Sequence, residues 1–166
     1  MGLLDGKRIV ITGVLTDVSL AFGTAKLALQ EGAELTLTGA GRALSLTERT
    51  ARKLSSDIRV YELDVTQPDH LTQVRDALTS DWGRVDGVLH SIGFAPAACL
   101  GDDFMAATWD DVSVAMHISA YSLKALADAF VPLMSSGGSI VGLDFDNRVA
   151  WPAYNWMGVA KAALES

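Results

Sequence analysis

Tyr154 and Lys161 pair a phenol with an ammonium in Tyr154-Asn155-Trp156-Met157-Gly158-Val159-Ala160-Lys161. On a helix that spacing leaves them about 20° apart in azimuth and roughly 10 Å apart along the axis, two turns up one face. A phenol so placed can donate to a carbonyl oxygen as negative charge develops on it. A lysine two turns away is a fixed cation that can hold the two hydroxyls of a ribose. The same pair also fits an amphipathic helix with a half-buried tyrosine and a snorkelling lysine.

Four turns elsewhere could serve the same chemistry. Thr12-Gly13-Val14-Leu15-Thr16-Asp17-Val18-Ser19-Leu20-Ala21 joins a strand pattern to a helix pattern. Backbone N–H groups and the helix dipole favour a pyrophosphate at such a junction. Gly13 permits the tight turn, and Ser19 offers a hydroxyl and an N–H where the usual G-x-G-x-x-G fingerprint, absent here, has a glycine. An ordinary strand–glycine–helix turn reads the same way. Thr38-Gly39-Ala40-Gly41-Arg42 lacks the acidic residue that binds a ribose 2′-hydroxyl, and Arg42 suits a 2′-phosphate, an adenine face or plain solvent. Spacing alone therefore leaves NAD and NADP both open. Asp64-Val65 ends a third strand pattern, where a carboxylate can accept an adenine amino group. Ser91-Ile92-Gly93-Phe94 ends a fourth, with Gly93 allowing close approach of a ribose. Taken singly, the last two also fit a turn aspartate and a turn glycine.

The elements that must position these groups alternate along the chain. Strand patterns fall at Lys7–Thr12, Glu34–Thr38, Ile58–Leu63, Asp86–Ser91 and Ser139–Leu143. Helical periodicity spans Ser19–Glu31, Ser45–Leu54, Pro68–Ser80 and Thr108–Met134, and another helical pattern opens at Pro152. Gly32 stops the first helix, Thr66 with Asp69 predicts a cap for the third, and Thr108 with Asp111 repeats that cap. Such alternation predicts right-handed crossovers and a doubly wound parallel sheet of Rossmann-like α/β type, in strand order 3-2-1-4-5. The last helical pattern runs to Ser166 with no glycine or proline to end it. The expectation is one dinucleotide-binding domain over 1–166, truncated at its C-terminus, with C-terminal strands missing and Ser139–Leu143 left as an exposed edge.

Composition narrows the function classes. The chain has 166 residues, 49% hydrophobic and 20% charged, with a net charge of −7. An acidic chain is a poor nucleic-acid binder. One cysteine, Cys99, leaves no disulfide framework or multi-thiolate metal site, and His70, His90 and His117 lack metal-ligand spacing. Cys99 reads as a small packed side chain. Charge-free stretches such as Gly87–Gly101 are too short to span a membrane. The expectation is a cytoplasmic, soluble, single-domain α/β protein with no metal, no nucleic acid and no membrane.

Together these residues resemble the NADH-dependent enoyl-acyl-carrier-protein reductases, a branch of the short-chain dehydrogenase/reductase superfamily. Four features carry the resemblance: G-x5-S-x-A at Gly13, Ser19 and Ala21, the Asp64-Val65 pair, the Ser91-Ile92-Gly93-Phe94 turn, and Y-x6-K. Gly138-Ser-Ile-Val-Gly-Leu-Asp-Phe-Asp146 and Pro152-Ala-Tyr-Asn-Trp-Met157 are most similar to the actinobacterial InhA-type members. Carbonyl-reducing relatives use Y-x3-K, and Met157 stands where their tyrosine would be.

The resemblance implies hydride transfer from NADH, in preference to NADPH, to the β-carbon of a trans-2-enoyl thioester in fatty-acid elongation. The thioester would be carried by acyl carrier protein or coenzyme A. It makes Tyr154 the donor to the thioester oxygen and Lys161 the anchor of the nicotinamide ribose, with Phe145 beside the nicotinamide. Gly13, Ser19, Leu20, Asp64, Val65, Ser91, Ile92 and Gly93 would contact the dinucleotide, and Phe94, Trp151 and Met157 the acyl chain. It further implies a homotetramer when full length. Two departures stand out: Ala40 occupies a position often aromatic in this branch, and family members extend about a hundred residues further. The competing reading is a non-catalytic, truncated nucleotide-binding fragment of such a reductase.

Overall fold

In the computed structural model, which describes residues 2–146 and 148–166, the aliphatic runs of the sequence form five parallel strands. These are β1 (Arg8–Thr12), β2 (Glu34–Gly39), β3 (Arg59–Glu62), β4 (Gly87–His90) and β5 (Ser139–Gly142), in the order β3-β2-β1-β4-β5. The order is the one the alternation predicts. Thr12 stands opposite Thr38, Val10 opposite Val88, and Val88 opposite Ile140. Val10, Ile11, Leu35 and Leu37 are buried, as expected where a parallel sheet is covered on both faces. Among the described residues β5 pairs with β4 alone, and Val141 is 54% exposed.

The sheet belongs to the first of two compact units, comprising the chain up to Ser91 together with Leu126–Gly142. Helix α1 (Leu20–Gln30) packs through the small residues Ala21, Ala25 and Ala28, and Gly32 at φ +91° ends it. Helix α2 (Arg42–Ala51) begins and ends three residues before the predicted Ser45–Leu54. Gly41 turns the chain at φ +48°, so the first turn starts at Arg42 and brings Thr47, Thr50 and Ala51 inward. Helix α3 (Pro68–Asp81) buries Val74 and Leu78. Its predicted Thr66 cap is absent: the Thr66 hydroxyl donates to Asp64 Oδ1 at 2.7 Å, and Gln67 occupies the cap position.

The second unit comprises Ile92–Ala125 and Leu143–Ser166. The predicted continuous helix Thr108–Met134, whose residues from Leu126 onward belong to the first unit, is corrected. It divides into α4 (Trp109–Met116), a π turn (His117–Tyr121) and α5 (Ser122–Phe130), before a 3-10 turn at Val131–Leu133. The π turn rotates Ser119 inward, where its hydroxyl accepts from Phe94 N–H at 2.9 Å and donates to Phe94 C=O at 2.8 Å. That two-way bond to a loop backbone sits at the π turn, a rare form found as single turns inside α-helices. Helix α6 (Asn155–Glu165) follows a 3-10 turn at Pro152–Tyr154. Cys99, Val112 and Ala115 form this unit's core, with Met116 and Trp156 packed against them. Among the described residues no helix is long and apolar enough to cross a membrane.

Thr108 caps α4 as expected: its Oγ accepts from Asp111 N–H, and the Asp111 carboxylate accepts from Thr108 N–H at 3.0 Å. Thr108→Ala should lower unfolding stability by about 1 kcal/mol. A urea melt read by tryptophan fluorescence checks this.

Candidate functional site

In unit 1 the candidate groups gather where a parallel sheet collects its loops, at the carboxyl ends of the strands. Gly13 follows β1 with φ +77°, and a Cβ there would lie 1.9 Å from the Ser91 carbonyl oxygen. Only glycine fits between those two loops. Buried Thr12 ties them together: its hydroxyl donates to Leu89 C=O at 3.0 Å and accepts from Ser91 N–H at 2.8 Å.

Ser19 caps α1, accepting from Phe22 N–H at 3.2 Å and donating to Thr16 C=O at 2.8 Å. Its hydroxyl therefore shapes the helix start. Leu20 stands exposed on the first turn, where N–H groups have no partner within the helix. Asp64, just beyond β3, accepts from Thr66 N–H at 2.9 Å in an Asx turn, while Val65 is buried. Arg42 is exposed at the first position of α2.

Unit 2 holds the pair with which the sequence is most specific. Lys161 is only 7% exposed, and its Nζ donates to Leu143 C=O at 3.0 Å. Burial pushes the ammonium below its ordinary value, and the charge of Asp144 opposes that shift. Gly93 lies alongside: a Cβ built on it would sit 3.6 Å from Lys161 Cε, 3.7 Å from Met157 Cε and 3.8 Å from Lys161 Nζ. The glycine thus keeps the backbone of this loop open beside the ammonium. Phe94 follows, its ring exposed and its backbone held by Ser119.

The helical spacing expected for Tyr154 and Lys161 is corrected by the structure. Lys161 is on α6, whereas Tyr154 closes the preceding 3-10 turn and stands outside the helix. Asn155, at φ +45°, separates them, so 3.6-residue geometry does not set their relation. Instead the Tyr154 ring stacks on Phe145, with centroids 4.4 Å apart and planes 25° from parallel. Tyr154 remains 42% exposed. A cavity of about 420 Å³ in this unit is lined by Phe145, Trp151, Phe104, Val149, Arg148 and Asn155. Met157 lies against Gly93, and Trp151 Nε1 donates to Asp146 C=O at 2.7 Å.

Three contributors escape a reading by residue type. Leu143 partners Lys161 through its carbonyl, which every residue possesses. Ser119 acts through a π turn that hydrophobic periodicity does not announce. Asn155 left a faint signal, since asparagine is among the residues most tolerant of positive φ.

A five-stranded, doubly wound parallel sheet with a glycine turn and helix start after its central strand makes this a Rossmann-like α/β protein. The family model described as enoyl-(acyl carrier protein) reductase matches residues 13–166, and the chain belongs to that family. It is 52% identical over 169 residues to the enoyl-(acyl-carrier-protein) reductase (NADH) of Mycolicibacterium smegmatis, covering 99% of this chain and 62% of that protein. The protein of the same name in Mycobacterium avium is 48% identical over 168 residues, with the same coverage. The enoyl-(acyl-carrier-protein) reductase (NADH) FabI of Neisseria meningitidis serogroup B is 41% identical over 172 residues, covering 100% of this chain and 65% of that relative. The chain therefore spans less than two thirds of the length of these curated relatives, and is more similar to the two mycobacterial proteins than to the third.

The depressed Lys161 fixes the sign of a pH effect. In the unfolded chain this lysine stays protonated up to about 10.5, the ordinary value. The folded protein releases the proton earlier, so between its lowered value and 10.5 the unfolded state binds more protons and stability rises with pH. Below that window the full cost of burying the charge remains. Lys161→Met removes the cost, so its stability advantage over the wild type should be largest at neutral pH and shrink as pH rises through the window. Chemical denaturation of both proteins across alkaline pH checks the trend.

Proposed function

We propose that this chain carries the nucleotide-binding and catalytic residues of a reductase that uses NADH to saturate the trans-2 double bond of enoyl thioesters on acyl carrier protein. The carrying observation is the arrangement in unit 2, where a phenol stacked on Phe145 accompanies a buried lysine set beside an open glycine loop.

The residues present fit the cofactor. Lys161 has three N–H bonds and spends one on Leu143 C=O, so two remain for a pair of ribose hydroxyls. In unit 1 the positive-φ turn at Gly13 and the first turn of α1 behind Ser19 offer backbone N–H groups suited to a pyrophosphate. Leu20, Asp64, Val65 and Ser91 are assigned to the adenosine half, and Ile92 and Gly93 to the nicotinamide ribose. NADH is preferred over NADPH because the relatives' names specify NADH.

When bound, NADH would supply a hydride to the β-carbon of the enoyl thioester, and a proton taken up at the α-carbon would complete the reduction. In between, negative charge develops on the thioester oxygen, and the Tyr154 O–H donates a hydrogen bond to that atom. A donor preorganised toward developing charge contributes more in the transition state than in the ground state. Phe145 holds the phenol ring by stacking, limiting its rotation. Lys161 holds the ribose as a fixed cation and acts through cofactor binding. Phe94, Trp151 and Met157 are assigned to the acyl chain. The reading extends to thioesters carried by coenzyme A, to a homotetramer of the full-length protein and to a cytoplasmic location. These extensions rest on family resemblance.

The test uses the full-length protein with an enoyl thioester and NADH. Tyr154→Phe should lower kcat on the order of a hundredfold while leaving the Kd for NADH nearly unchanged. Unchanged kcat would refute the role given to the phenol. Lys161→Met should behave in the opposite sense, with its main effect on NADH binding.

A further inference from the structure

Asn155 has a backbone conformation that its residue type does not favour. Its dihedrals are φ +45° and ψ −127°. Gly41 adopts almost the same pair, φ +48° and ψ −124°, also at the entry to a helix, and there the residue is glycine. A side chain with a Cβ is strained in that region, whereas glycine is not. Asn155 carries a second cost, because its buried Oδ1 has no hydrogen-bond partner among the described residues. Glycine would avoid both.

What glycine lacks is the amide N–H pair. Asn155 Nδ2 donates to Gly101 C=O at 3.2 Å and to Asp103 C=O at 3.1 Å. Two carbonyl acceptors require the nitrogen side of the amide, which fixes its orientation and turns Oδ1 away from them. The same loop grips the chain on the other side of Tyr154, since Gly101 N–H donates to Ala153 C=O at 3.1 Å. One residue further on, Trp156 stacks on Phe104 at 4.6 Å and donates from Nε1 to Phe104 C=O at 3.1 Å. The residues on both sides of Tyr154 are thus pinned to the 101–104 loop, while the phenol itself rests on Phe145.

We infer that Asn155 is a positioning residue: its strained turn and two-carbonyl clamp fix the Tyr154 phenol at the angle needed for donation to the substrate. Backbone strain persists only where surrounding bonds over-determine the conformation. Here those bonds all converge on the flanks of one exposed phenol. The inference rests on the reading of Tyr154 as the oxygen-stabilising donor.

The test measures kcat, KM for NADH and thermal stability in the full-length enzyme for Asn155→Gly, Tyr154→Phe and the double variant. Glycine accepts the turn without strain but cannot clamp, so Asn155→Gly should stay folded and lose kcat about tenfold or more, with KM for NADH unchanged. In the Tyr154→Phe background the same substitution should cost nothing further. Asn155→Asp serves as a second variant. It keeps the shape but offers no N–H to the two carbonyls, and should show the same loss, likewise abolished without the phenol. Retention of kcat in either folded variant, or a loss of equal size with and without the phenol, overturns the inference. Failure of the underlying reading is seen separately, as unchanged kcat in Tyr154→Phe alone.

Discussion

Burial of the Lys161 ammonium is the constraint around which unit 2 is organised. A charge withdrawn from water is tolerated only where fixed acceptors replace its hydration. The Leu143 carbonyl is such an acceptor, and Asp144 supplies opposing charge. Even so, withdrawing the ion from water carries a penalty, seen in the direction in which burial shifts the ammonium. An apolar side chain at 161 would serve packing better. A lysine held there at that cost argues for a task outside folding, and Gly93 leaves no side chain between its loop and the ammonium. The strain at Asn155 is of the same kind. Two local choices that oppose stability occur within one short stretch of chain, which is how functional sites depart from the consistency seen elsewhere in a fold.

Unit 1 follows a different logic, in which nearly every choice agrees. Five parallel strands send their outgoing loops to one edge, and the central β1 is buried on both faces. Alanines on α1 let the helix pack closely on the sheet. The tightest point is the meeting of Gly13 and Ser91, where a methyl group could not be inserted. That contact fixes the loops after β1 and β4 relative to each other. It follows from sheet order, because these strands are neighbours although their sequence positions are far apart.

Much of this was legible in the sequence because it rests on periodicity and on residue types with narrow uses. Strand order came from the alternation of short aliphatic runs with helical patterns, the end of α1 from Gly32, and the capping box from Thr108 with Asp111. Boundaries failed where two signals competed. Thr66 and Asp64 can each organise the turn before α3; the carboxylate does so, leaving the hydroxyl to donate to it. The helix from Thr108 onward kept its apolar period through Ser119, and nothing in that period records a hydroxyl bonded to a distant backbone. The Tyr154–Lys161 spacing misleads for a similar reason. Seven residues invite a helical count, but the count assumes right-handed dihedrals at every intervening position, and Asn155 breaks it. Partners contributed by backbone atoms, such as the Leu143 carbonyl, carry no residue-type signature.

The break at Asn155 gives the tyrosine a position that a helix would deny. Had the phenol been one helical turn from the lysine, its distance from a ribose held by that lysine would be fixed by the 5.4 Å pitch. That geometry suits a carbonyl whose carbon itself accepts the hydride, because its oxygen is bonded directly to the accepting atom. In an enoyl thioester the accepting β-carbon and the oxygen that gathers charge are separated by two further bonds. On the proposed reaction the donor would therefore stand farther from the ribose anchor than one turn allows. On that reading, a tyrosine off the helix, braced from the 101–104 loop and stacked on Phe145, would serve that requirement while Lys161 stays on α6. On the proposed reaction, the choice between reducing a carbonyl and reducing the adjacent double bond then depends on how the chain enters α6, a property of backbone geometry more than of which catalytic side chains are present.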